Sequence, residues 1–190
     1  MGQKVKDIIF IVILGVVCVG LLLGIKNYTL PKIKRYEEVK LKSTILGAAG
    51  ISYTIDDLDE TFNKKIKAFT KDDFPYYRSP NRLYIFEFEG RGLWGMIKGV
   101  LTLRPDMETI ENVNIVSQEE TPGLGGRISE KAFLDTFKNK KVLPEIILAL
   151  RQKATKINEI DAISGASISS DALVKIINEH VKKFRMIMGK

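Results

Sequence analysis

The chain has 190 residues, 45% of them hydrophobic, with a formal net charge of +7 and a pI near 9.4. That length allows one membrane segment and one modest globular domain, and excludes a two-domain soluble enzyme. The positive charge attracts anions in general, but the lysines are scattered and lack the clustered arginine and aromatic pattern of a nucleic-acid surface, so no nucleic-acid partner is expected. Cys18 and His180 are the only residues of their kinds. An internal disulfide, a cysteine-held metal or cluster and a histidine-dependent catalytic triad are therefore not expected.

In chain order, Ile8 to Ile25 reads IIFIVILGVVCVGLLLGI without a charge. At ~1.5 Å of rise per residue this is long enough to cross the hydrocarbon core of a bilayer, and it predicts a transmembrane helix. A cleaved secretory signal fits less well, because Lys26, Asn27 and Tyr28 follow without a small-residue cleavage site. Val17 before Cys18 argues against a lipid-modified cysteine. Lys4 and Lys6 precede the span, whereas Lys26, Lys32, Lys34 and Arg35 follow it, so a literal positive-inside count puts the large domain in the cytoplasm. That rule weakens when a long domain follows the span, and the residues alone leave the side open.

Pro31 marks the expected exit from the membrane helix, giving an anchor over residues 1–30 and a domain over residues 31–190. Ile33, Tyr36, Val39 and Leu41 suit a juxtamembrane helix running towards Gly47 or Gly50. A further helix is expected from about Asp57, with Leu58, Phe62, Ile66 and Phe69 as its core stripe and an acidic first turn facing the positive end of the helix dipole.

Between Leu83 and Val116 the period changes to two. Tyr84, Phe86 and Phe88 fall on one face, and Ile97 to Leu103 and Thr109 to Val116 follow, separated by the Arg104-Pro105-Asp106 turn. This predicts a three-strand antiparallel meander. A Gly-rich loop, a short helix around Ser129 to Phe137, an apolar segment at Ile146 to Leu150 and an amphipathic helix from about Ser170 complete the chain. The expected class is α+β: a single N-terminal transmembrane helix followed by a domain with an antiparallel sheet flanked by helices.

The most informative stretch is Asp161-Ala162-Ile163-Ser164-Gly165-Ala166-Ser167-Ile168-Ser169-Ser170, directly ahead of the last helix. Hydroxyls and small residues before a helix suit a phosphate: the helix N-terminus offers unpaired N–H groups, Gly165 admits close approach, and Ser169 or Ser170 can cap. An ordinary capped helix start fits the same residues. Two other stretches stand out, Glu120-Thr121-Pro122-Gly123-Leu124-Gly125 and Gly90-Arg91-Gly92-Leu93-Trp94-Gly95. Gly123-Leu124-Gly125-Gly126 has Ile128 where a dinucleotide-binding fingerprint needs its third glycine, which excludes a Rossmann site.

DAISGAS resembles the D-x-x-[ST]-G-A-[ST] flavinylation signature of the RnfG and NqrC subunits of Rnf and Nqr complexes. Glu120 to Gly125 matches that family's E-T-P-G-L-G loop, and Gly90 to Gly95 is similar to its G-x-G-L-W turn. With a single anchor ahead of three motifs in the same order, the resemblance covers essentially the whole chain. It implies an FMN-binding domain in which the last hydroxyl of the signature, here Ser167, receives FMN through a phosphoester from a flavin transferase that cleaves FAD. The family acceptor is usually threonine, and serine supplies the same nucleophile.

The resemblance further implies cofactor contacts from Leu93, Trp94, Glu120, Thr121, Gly123, Leu124, Gly125, Asp161, Ser164, Gly165, Ala166, Ser169 and Ser170. Thr121 and loop amides would bond the ring edge, and Trp94 or Leu124 would cover its face, although a lone tryptophan equally suits a core. No catalytic residue and no metal are expected. The Gln118 position is a histidine in many relatives, so no proton-handling role is expected there. The implied protein is an RnfG-like electron carrier in an ion-translocating oxidoreductase complex. It would be single-pass in the inner membrane with its N-terminus inside and its FMN domain on the extracytoplasmic face. Its partners would be other membrane subunits, the flavin transferase and the lipid bilayer. Two readings stand beside it: an NqrC-type subunit, and a stand-alone anchored flavin domain for extracellular electron transfer. A structural adaptor, with DAISGAS only a helix start, is a third.

Overall fold

The computed structural model describes residues 2–150 and 153–190. The chain divides into two compact units, Met1–Lys40 and Leu41–Lys190.

The first helix, α1 (Gln3–Ala48), does not stop at Pro31 but continues through it. A proline inside a helix deletes one hydrogen bond to the carbonyl four residues back and leaves the turns on either side intact. The lysines, glutamates and leucine beyond it are good helix formers and carry the helix on. Shortly ahead of Pro31, the Thr29 hydroxyl donates to the Ile25 carbonyl at 2.9 Å. The Lys32 ammonium lies 4.4 Å from the centre of the Tyr28 ring and 3.2 Å from its hydroxyl. By length and composition α1 is able to cross a membrane, and its apolar side chains from Ile8 to Ile25 are exposed in the isolated chain.

In the second unit, α2 (Leu58–Lys65) begins at Asp57, as its acidic first turn predicts, but ends before Ile66. Phe69 is not the last residue of a helical stripe. It lies on β1 (Lys67–Lys71), half-exposed and stacked on Tyr76 at 5.4 Å. β1 turns back into β2 (Phe74–Arg78) through Asp72 and Asp73, both at positive φ. Such two-residue turns match the twist of paired strands, and aspartate tolerates the left-handed region better than most residues. The meander expected from the sequence follows as β3 (Tyr84–Arg91), β4 (Met96–Leu103) and β5 (Ile110–Gln118). All five strands form one antiparallel sheet in sequence order.

After β5 come a 3-10 turn at Gly125–Ser129, α3 (Lys131–Leu134) and a second 3-10 turn at Asp135–Phe137. β6 (Ile147–Ala149) then pairs in parallel with β7 (Glu159–Asp161), and α4 (Ser167–Met188) closes the fold. Leu173, Ile177, Val181 and Phe184 of α4 pack with Phe86, Phe88, Leu101 and Leu103 in one core. The alternate strand residues Ile85 and Val100, equally buried, point to the opposite face. There Phe62 of α2 meets Tyr77 of β2 edge-on at 5.9 Å. Asn178 of α4 makes two 2.9 Å hydrogen bonds with the Ile146 backbone, one in each direction, tying the helix to the start of β6.

Candidate flavin site

α4 starts at Ser167, three residues earlier than its amphipathic pattern predicts. This changes the roles of the serines. The N-cap position is Ala166, whose side chain caps nothing, and the first turn holds no acidic residue. The opening N–H groups and the positive end of the dipole therefore face outward without a side-chain partner. Neither Ser169 nor Ser170 caps the helix. Both are buried, the Ser170 hydroxyl donating to the Ala166 carbonyl at 2.9 Å and the Ser169 hydroxyl to Glu120 Oε2 at 2.5 Å. Of Ser167, Ser169 and Ser170, only Ser167 is exposed. Gly165, at φ +82°, supplies the left-handed residue that turns the chain from Ser164 into the helix.

Glu120 gathers the three sequence motifs. It is 4% exposed. Its Oε2 accepts from Ser169, and its Oε1 accepts from the Trp94 N–H at 3.0 Å. Burial pushes the carboxyl pKa up, but its hydrogen-bond donors, the Ser169 hydroxyl and the Trp94 N–H first among them, outweigh it and hold the group below its ordinary value. The neighbouring glycines make room. A Cβ on Gly125 would lie 2.5 Å from Ser169 Oγ and 2.6 Å from Glu120 Oε2, and a Cβ on Gly92 would collide with Glu120 Oε1.

The three motif segments carry exposed apolar side chains. Trp94 is 71% exposed, and Leu93, Leu124 and Ile168 are also exposed. Trp94 is thus a surface residue and not part of the core. Leu124 lies beside Gly165, its Cδ2 3.8 Å from where a Cβ would stand. Leu93 and Ile168 line a shallow cleft of about 490 Å³ together with Gly92, Asp171 and Lys175. Thr121 and Gly123 are exposed on the intervening loop, whose turn is closed by the Leu124 and Gly126 amides donating to the Thr121 carbonyl. Asp161 is engaged elsewhere, accepting from the Ala154 N–H at 2.6 Å at the end of β7.

Two participants escaped the sequence reading. Arg127 donates to the Ser164 carbonyl at 3.2 Å and braces the loop ahead of Ser167. Ile168 adds apolar surface at the helix start. Arg127 has no distinguishing signal in sequence, whereas Ile168 is a large apolar residue out of phase with the buried stripe of α4.

An exposed hydroxyl at an uncapped helix N-terminus, edged by exposed apolar side chains, suits a molecule with a phosphate at one end and a flat apolar ring at the other. Residues 92–182 match the FMN-binding domain family. The G component of the proton-translocating ferredoxin:NAD(+) oxidoreductase complex of Clostridium ljungdahlii is 34% identical over 106 residues, 56% of this chain and 55% of the relative. The C component of the Na(+)-translocating NADH-quinone reductase of Pasteurella multocida is 32% identical over 94 residues, 47% of this chain and 36% of the relative. The chain thus spans about a third to a half of these relatives' length. Two crystal structures share the fold: NqrC from Shewanella oneidensis (TM-score 0.64, 18% identity, 74% of this chain and 90% of that one) and the corresponding Na(+)-translocating NADH-quinone reductase component from Parabacteroides distasonis (TM-score 0.66, 22% identity, 79% and 92%). Over this stretch the chain is similar to both the RnfG and the NqrC components.

Proposed function

We propose that this chain is an RnfG-like electron-carrier subunit of a membrane-bound, ion-translocating oxidoreductase complex, with FMN held by a phosphoester on Ser167. The observation that carries the reading is the exposure of Ser167 at the uncapped N-terminus of α4, next to the exposed Ile168 and two residues after Gly165, beside which Leu124 lies. In loading, Ser167 Oγ forms a bond to the FMN phosphorus of FAD as the pyrophosphate bond breaks. AMP leaves, and the hydroxyl proton passes to the flavin transferase. The flavin supplies the electron-transfer chemistry. The chain supplies the rest: amides of the first helical turn for the phosphate, the exposed Leu93, Trp94, Leu124 and Ile168 side chains for the ring, and Gly165 for close approach.

Co-expressed with the transferase, the parent chain is expected to carry flavin fluorescence through a denaturing gel, and Ser167→Ala to carry none. Unchanged fluorescence in Ser167→Ala would refute the assignment. The FMN domain faces the extracytoplasmic side and the partners are the other membrane subunits of the complex. Protease added to intact cells should digest the domain, whereas full protection would reverse that orientation. A second reading, an NqrC-type subunit of a Na⁺-translocating NADH:quinone reductase, draws on the NqrC-like fold. The identities of co-purifying membrane subunits separate the two.

A further inference from the structure

We propose that Glu120 is the positioning residue of the flavin acceptor: by fastening Ser169 to the Leu93–Gly95 turn, it holds the first turn of α4 so that Ser167 faces outward. The inference rests on Ser167 being the site of attachment. Residues two apart on a helix point about 200° away from each other, so a side chain fixed inward at Ser169 turns Ser167 outward. Ser169 is the inward group, and its hydroxyl ends on Glu120 Oε2.

The other carboxylate oxygen anchors the opposite wall of the site through the Trp94 N–H, in the turn that presents Leu93 and Trp94 to solvent. One buried carboxylate thereby sets the acceptor hydroxyl and the apolar rim in register. The same loop grips the acceptor segment again from Arg127, which holds the Ser164 carbonyl three residues ahead of Ser167.

A carboxylate suits the site. Its donors are the Ser169 hydroxyl and the Trp94 N–H, and an ionised carboxyl accepts one on each oxygen with charge-assisted bonds. In Glu120→Gln, one of the two positions becomes an N–H₂, and the charge-assisted bond accepted there is lost. Gly92 and Gly125 make the room that the carboxylate occupies, since a side chain at either would overlap it.

The test uses the full chain in detergent, its flavin transferase and FAD, with Glu120→Gln, Ser169→Ala and the double variant. The rate at saturating carrier is expected to fall at least tenfold in each single variant, with the half-saturating carrier concentration within about twofold of the parent. The double variant should be no slower than the slower single one, because the two residues act through one bond. In the unlabelled chains, amide hydrogen exchange should quicken at residues 93–95 and 164–170 while residues 173–184 keep the parent's protection. Ser169→Ala, which removes only a hydroxyl, carries the test if Glu120→Gln fails to fold. Folded variants that label at the parent's rate, or that show only an altered half-saturating concentration, overturn the positioning role and leave the attachment site standing. An unlabelled parent overturns both.

Discussion

Phe184→Ala is expected to lower the melting temperature of the domain by roughly 15 °C. The phenylalanine is fully buried near the end of α4 and meets four rings of the sheet. It stacks on Phe86 at 4.7 Å and lies 5.5 Å from Tyr84, 5.8 Å from Tyr76 and 5.9 Å from Phe74. Truncating a buried phenylalanine costs about 3–5 kcal/mol, from lost transfer free energy and from the cavity left behind. In a domain of this size each kcal/mol shifts the midpoint by about 2–4 °C. The four rings are held on two paired strands, β2 and β3, and cannot all collapse into one void, which places the loss towards the upper end. Thermal unfolding followed by circular dichroism on the full chain measures it, and a shift under about 3 °C would mean that Phe184 does not hold α4 to the sheet.

The second large effect is on loading. Gly125→Ala is expected to reduce flavin incorporation at least tenfold, because the added methyl falls between Ser169 Oγ and Glu120 Oε2 and forces the two apart. Gly123→Ala is the control. Gly123 also sits on this loop at φ +75°, but a Cβ there meets nothing within 4 Å. That substitution brings only the strain of a left-handed alanine, about 1–2 kcal/mol, and leaves the carboxylate bonds intact. Labelling of both variants under identical conditions decides the matter. Equal incorporation in the two would show that crowding at Gly125 is without consequence for the acceptor.

The contrast between these glycines also shows what was legible in the sequence. Gly123 and Gly125 belong to one motif, and pattern alone gives them the same meaning. Their difference depends on Ser169, which reaches Glu120 across 49 positions of chain. Long-range partners of this kind leave no periodic trace. The strands β3 to β5 were readable because Tyr84, Phe86 and Phe88 alternate onto a single core.

β1 and β2 were hidden for a local reason. Leu58, Phe62 and Ile66 keep helical spacing up to the point where the chain becomes extended, and Phe69 happens to continue the count. The Asp72-Asp73 turn that betrays the hairpin lacks the glycine by which such turns are usually recognised. Pro31 misled in the opposite sense, since a single missing hydrogen bond did not end α1. For Ser169 and Ser170, residue type promised a cap, whereas the helix start chosen by Gly165 and Ala166 carried both hydroxyls inside.

With Cys18 as its only cysteine, confined to the apolar stretch of α1, the folded domain contains neither a thiol nor a disulfide. Its covalent scaffold is therefore indifferent to the thiol–disulfide balance around it: a reductant finds no cross-link to break, and an oxidant finds no thiol there to couple. No bond that holds its fold is open to thiol–disulfide exchange.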